Sequence, residues 1–161
     1  MQTLIQPTEH AVLVRSASRD DEEGLRRMLS RLSRESVYLR FHAPLPRAPE
    51  WAVAMFANSD RSHGESLVAV AGGEVVGHAM YVREGDSAEF AIVVEDRCQA
   101  RGIGKRLLSA LAESAAREGV KCFTGAVLGQ NQRMFGLLRS VFERVGYAME
   151  DGAYAVSAPL S

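Results

Sequence analysis

The stretch CQARGIGKRLL, Cys98 to Leu108, decides how this chain is read. Gly102 and Gly104 stand just ahead of an apolar series at helical spacing, Ile103, Leu107, Leu108, Leu111 and Ala115, which Gly119 brings to a stop. Glycine lacks a Cβ, so its amide can approach a ligand closely, and a helix N-terminus adds outward-pointing N–H groups. Together these make an anion site suited to phosphate. Arg101, Lys105 and Arg106 cluster at the same place, the positive end of the helix dipole, where cations are disfavoured; a bound pyrophosphate reverses that sign. A Walker loop is excluded, because Gln99 stands where its first glycine belongs and Arg106 where Ser or Thr belongs. A dinucleotide fingerprint is excluded because Leu107 replaces its third glycine. What remains is Gln99-x-x-Gly102-x-Gly104, following a strand and opening a helix.

Working outward, AEFAIVV before this loop is too continuously apolar to alternate, which predicts a central strand. Ahead of it, SLVAVAGGEVVGHAMYV is two apolar runs around Gly72-Gly73, a hairpin, and REGDS is a second turn. HAVLV reads as a first strand. Ser18 with Asp21 three residues on forms a capping-box start for a helix carrying Leu25, Met28, Leu29 and Leu32. SRESVYLRF reads as a short helix, and HAPLPRAPEW as a loop entering another helix from Trp51 to Ala57. After the loop helix come the strand KCFTGAVL, a helix from Asn131 stopped by Gly146, and a closing hairpin turning at Asp151-Gly152. The whole is an α/β or α+β fold with mixed strand directions.

The length of 161 residues suits one domain, residues 1–161. A net charge of −1 gives no electrostatic case for nucleic acid or a membrane surface. No run approaches the roughly 18 apolar residues of a membrane span, and MQTLIQPTEHAV lacks the form of a secretory signal. Cys98 and Cys122 make neither a disulfide framework nor a metal spacing. The expectation is a cytoplasmic protein with two free thiols.

On these motifs the chain resembles the GNAT N-acetyltransferase superfamily, whose acetyl-CoA motif is Gln/Arg-x-x-Gly-x-Gly/Ala. The element order matches over nearly the whole chain. SRESVYLRF, AEFAIVV and NQRM more narrowly resemble bacterial protein-lysine acetyltransferases, which modify acyl-CoA synthetases. The resemblance implies a mostly antiparallel twisted sheet of six to seven strands flanked by about four helices. It implies acetyl-CoA as co-substrate, with pyrophosphate on the backbone amides from Arg101 through Gly102, Ile103 and Gly104 to Lys105, and with Gln99 and Ala100 also among the cofactor-binding residues. The pantetheine arm is expected to pair like an added strand with Ile92, Val93 and Val94, and Asn131 to bond its amides or to cap its own helix.

The chemistry asks for a base and an oxyanion donor. A lysine amine with a pKa of about 10.4 must lose a proton before it attacks a thioester. The resemblance carries the family's glutamate base onto Glu89. Its apolar neighbours Ala88 and Phe90 predict burial, which would raise its pKa; the other reading is a solvated or Arg83-paired strand residue. A backbone N–H of Val93 or Val94 is the expected oxyanion donor. Glu84, Asp86 and Glu95 read as solvated turn residues, and Glu150 and Asp151 as able to attract a cationic acceptor. His42, His63 and His78 have no metal-ligand spacing, so no metal is expected; His78 reads as a core or groove histidine, and Cys98 as a small buried hydrophobe.

The sequence departs from the family twice. Leu138 stands where many relatives have a tyrosine that protonates the departing thiolate. The run from Asn131 to Gly146 exceeds the family expectation by roughly one helical turn. The acceptor favoured by the resemblance is a protein lysine. The alternatives are a small amine, or an acyl-CoA-binding sensor without turnover.

Overall fold

A computed structural model describes residues 11–58 and 62–160. Strand β1, Val12–Ser16, sits somewhat later than the HAVLV reading, whose His10 lies outside the described residues. Ser18 and Asp21 form the expected capping box, with the Ser18 N–H donating to the Asp21 carboxylate at 2.9 Å. Helix α1, Glu22–Ser30, then buries Leu25, Met28 and Leu29. Ser33 caps α2, Arg34–Phe41, by accepting from the Ser36 N–H, and His42 ends it in the left-handed conformation at φ 58°. Helix α3 spans Trp51–Ala57.

Strands β2, Gly64–Ala71, and β3, Glu74–Glu84, form a hairpin whose two turn glycines both take positive φ, 58° and 77°. Strand β4 is Ser87–Val94, α4 is Ile103–Arg117, β5 is Cys122–Leu128, α5 is Gln132–Val141, and β6, Gly146–Glu150, pairs with β7, Ala153–Pro159. The seven strands run in the order β1-β2-β3-β4-β5-β7-β6, with β4 in the middle. Every pairing is antiparallel except β4 with β5, which α4 joins as a crossover.

Helices cover both faces. Leu107, Leu108 and Leu111 of α4 and Leu138 of α5 pack against Phe90, Ile92 and Phe123 on one side. Leu25, Met28, Val53 and Phe56 pack against Val68, Val75 and Val93 on the other. Burial on two sides explains why β4 reads as a continuous apolar run. Among the described residues no helix is long and apolar enough to cross a membrane.

The helix expected to reach Gly146 stops at Val141. Phe142 turns extended (φ −110°, ψ 139°), and its ring meets Phe123 edge-on, with centroids 6.3 Å apart. Met134, Leu137, Leu138, Val141, Phe142 and Val145 keep helical phase throughout, so periodicity alone does not reveal the break. Gly146 starts β6 instead of ending a helix. A Cβ there would lie 2.9 Å from Ser157 Oγ, so the glycine permits close pairing with β7.

Candidate active site

Strand β4 is paired to β5 at only three positions, Ser87 with Cys122, Ala88 with Phe123 and Glu89 with Thr124. Beyond them β4 stays with β3 as far as Val94, while β5 stays with β7 as far as Leu128. The two parallel strands therefore part, and Phe90 fills the angle. Its ring stacks 5.5 Å from Phe123, and a Cβ on Gly125 would stand 3.0 Å from it.

The divergence exposes backbone. Glu95 N donates to Val76 O on the β3 side, so by strand alternation the N–H of Val93 also faces β3. Those of Ile92 and Val94 face away, toward the opening. Of the two expected oxyanion donors, Val93 is thus engaged in the ladder and Val94 is turned to the cleft.

Ile92, Val93 and Val94 form one wall of a cleft of about 360 Å³. The Gln99–Lys105 loop closes its end, Asn131, Arg133 and Leu137 line it from α5, and Ser36 and Arg40 from α2. In the loop, Ala100 (φ 61°) and Gly102 (φ 86°) hold left-handed conformations. The first helical hydrogen bond of α4 runs from Arg106 N to Gly102 O, so the N–H groups of Ile103, Gly104 and Lys105 have no helical acceptor. Gln99 Nε2 donates to Val94 O at 2.9 Å, and its Oε1 accepts from Arg133. Asn131 caps α5 by accepting from Met134 N at 3.2 Å and also lines the cleft.

The loop cations divide. Lys105 lines the cleft, Arg101 is exposed, and Arg106 Nη1 donates to Val12 O on the edge strand β1. Arg106 therefore needs no anion to explain it. Ile103 turns its side chain into the core at 2% exposure, leaving only its backbone for a ligand.

Glu95, expected to be solvated, is buried at 1% exposure. Arg31 grips its carboxylate with Nε at 2.9 Å and Nη2 at 3.0 Å, and Arg97 Nε adds a contact at 2.6 Å. Next to it, Asp96 accepts from the N–H and hydroxyl of Ser33 and from the hydroxyl of Ser36. Burial pushes the Asp96 carboxyl up, and these donors more than reverse it, so its pKa falls below the ordinary value. Cys98, fully buried beneath the loop, has its thiol pushed up by burial and by Glu95.

Glu89 corrects another expectation. It is exposed rather than buried. It is not paired with Arg83, whose guanidinium bonds to Gly85 O and Glu118 O. It lines a second, open groove with Thr124, Ser157, Ala148 and Glu150. Leu138, at the position of the family's tyrosine, is fully buried core. His78 is also fully buried, bonded through Nε2 to Ser66 Oγ at 2.7 Å and stacked 3.9 Å from Phe56. Burial drives its pKa well down, which keeps it neutral. Arg40 went unnoticed in the sequence. The signal lay in its i, i+4 relation to Ser36, which puts both on one face of α2.

Comparison with known proteins follows this geometry. Residues 26–147 match the sequence model of the family described as Acetyltransferase (GNAT) family. Acetyltransferase Pat of Mycolicibacterium smegmatis is 42% identical over 77 residues, which make up 46% of this chain and 22% of that protein. The match thus spans under a quarter of the relative's length. The GNAT domain of S. lividans PAT superposes with a TM-score of 0.84 at 29% identity, covering 93% of this chain and 96% of that one. The yncA protein of Salmonella typhimurium, solved with its cofactor acetyl-CoA, gives 0.75 at 18% identity over 94% and 95% of the two chains. That last likeness is one of fold.

The grip on Glu95 has a measurable worth. Arg31→Met leaves a buried carboxylate with Arg97 alone, and is expected to lower the unfolding free energy by about 2–4 kcal/mol. Arg31→Met combined with Glu95→Leu removes both charges and should recover much of that loss. Urea denaturation of the two variants measures the difference.

Proposed function

Because the chain belongs to the acetyltransferase (GNAT) family, we propose that its cleft takes acetyl-CoA and passes the acetyl group to the amine of a protein lysine. The observation that carries this reading is the unpaired edge of β4 running into the open N-terminus of α4. The free N–H groups from Ile103 to Lys105, with the Lys105 ammonium, suit a pyrophosphate. The outward N–H and C=O of Ile92, with the C=O of Val94, suit the amides of a pantetheine arm, as in strand addition. Asn131 spends its Oδ1 on the cap and keeps its NH₂ for the same arm. Such a pose directs the thioester along β4 toward Glu89, which lines the second groove.

The acceptor amine enters from the open groove. Glu89, reached by solvent, takes the ammonium proton directly or through a water. The amine nitrogen then bonds to the carbonyl carbon, the C–S bond breaks, the sulfur leaves as thiolate, and the nitrogen's second proton passes to solvent. The Val94 N–H faces the developing oxyanion. No acid is assigned, because Leu138 cannot supply a proton; solvent protonates the thiolate. A protein acceptor is supported by the likeness of SRESVYLRF, AEFAIVV and NQRM to the protein-lysine enzymes, and by a groove open enough for a loop of another protein. The buried Leu138 favours a second reading, an acyl-CoA-binding domain without turnover.

Acetyl-CoA should raise the melting temperature, since a ligand of the folded state alone stabilises it. Gly104→Glu places a carboxylate at the pyrophosphate position and should abolish that rise in a protein that still folds, as thermal-shift measurement will show. Incubation with acetyl-CoA and a folded acyl-CoA synthetase should acetylate one active-site lysine, seen by mass spectrometry. Turnover of spermidine or another small amine without protein modification would move the reading to a small acceptor, and no thiol release with any amine would leave the sensor. Glu89→Gln is expected to lower kcat by about 10²- to 10⁴-fold with KM for acetyl-CoA little changed. Retention of more than about a third of the activity would make Glu89 a bystander.

A further inference from the structure

We infer that Arg40 is a catalytic residue, its guanidinium stabilising the negative charge that develops on the thioester carbonyl oxygen. The inference rests on the acetyl-transfer reading above and concerns a residue to which that reading gives no role.

Arg40 is a cation without a carboxylate. Among the described residues none pairs with it at salt-bridge distance, and its buried Nε–H has no acceptor. Its Nη2 reaches only the weak acceptor Met80 Sδ, at 3.8 Å. The guanidinium lies instead on an aromatic platform, 4.9 Å from the Phe56 ring centre and 5.0 Å from that of Phe41. Such stacking suits a planar cation but leaves its donors unspent. Burial lowers its pKa to about 10, with Glu89 opposing that shift, so it stays charged at neutral pH. An unspent, half-buried donor is costly unless a partner arrives.

The place of the charge identifies the partner. Met80, which the guanidinium touches, faces Ala91 in the β3–β4 register, and Phe56 stacks on His78, which faces Val93. Arg40 therefore lies over the stretch of β4 between Glu89 and Val93, where β5 has just departed, and it lines the cleft there. The phosphate end of the cleft has its own donors in the α4 N-terminus and Lys105. What becomes negative at Arg40's end is the reacting carbonyl. As the neutral amine, already relieved of one proton by Glu89, bonds to carbon, the carbonyl electrons move onto oxygen, where the Arg40 and Val94 N–H groups receive them, and the nitrogen's second proton passes to solvent. The electrons return as the C–S bond breaks and sulfur leaves with its electron pair. A preformed cation on a rigid platform favours this state over the neutral thioester.

The test compares Arg40→Met, which keeps length and loses charge, with Arg40→Lys, which keeps charge. Acetyl-CoA affinity is measured by titration calorimetry and thiol release with the best amine acceptor. Arg40→Met should bind acetyl-CoA within about threefold of wild type while kcat falls roughly 10²-fold. Arg40→Lys should recover part of the lost rate. Should Arg40→Met fail to fold, Arg40→Lys alone decides, with a kcat loss at unchanged affinity expected. An unchanged kcat in a folded variant, or a loss confined to acetyl-CoA affinity, overturns the inference alone. A wild type that releases no thiol with any amine overturns the acetyl-transfer reading and this inference with it.

Discussion

Three residue pairs join β4 to β5, and their ending at Glu89 and Thr124 is the constraint on which the site depends. Buried backbone groups are almost always paired, so a central strand that loses its neighbour halfway carries a local debt of hydrogen bonds. The Phe90 ring, seated where Gly125 leaves room, keeps the strands from closing again. One divergence thus creates a hydrogen-bonding edge toward one cleft and leaves Glu89 at the last paired position, facing the other.

The loop at the end of that edge is held by elements distant in sequence. Arg31, at the C-terminal cap of α1, reaches Glu95, and the start of α2 reaches Asp96. Both acids immediately follow β4, so the N-terminal helices set how the chain enters the helix that supplies the N–H groups. This anchoring stabilises the left-handed Ala100, a conformation that costs a residue with a Cβ. A buried ion pair is a poor source of net stability, and here its main effect is to fix the geometry of a loop.

Much of this was legible in the sequence, and the failures have physical causes. The hairpin at Gly72-Gly73, the central position of β4 and the glycine loop that opens α4 each follow from local chemistry: turn glycines, two-sided burial and a glycine pair before a helix. Where elements end was harder. The apolar series through Val145 keeps helical phase although the backbone leaves the helix at Phe142, because the Phe123 ring draws that side chain inward. Side-chain partners across the fold were hidden altogether. Nothing local distinguishes Glu95, buried by Arg31 from 64 positions away, from Glu89, exposed among apolar neighbours. The exposure of Glu89 comes from the parting of the strands, which no period of the sequence records. Arg40 shares a helix face with Ser36 by spacing, but the aromatic rings of Phe41 and Phe56 under its guanidinium, and its want of a carboxylate partner among the described residues, belong to the fold.

The last-paired strand of the sheet, β6, is exposed along its whole length. Surface substitutions of that kind usually change stability by no more than about 0.5 kcal/mol. Gly146, pressed against Ser157, is the exception. The side formed by β4, α4 and α5, by contrast, is set into the main core through Ile92, Ile103 and Leu138. In evolutionary terms the two sides carry different mutational costs. The exposed β6 rim can drift through many sequences, while the side built on Ile92, Ile103 and Leu138 is committed to the stability of the whole domain.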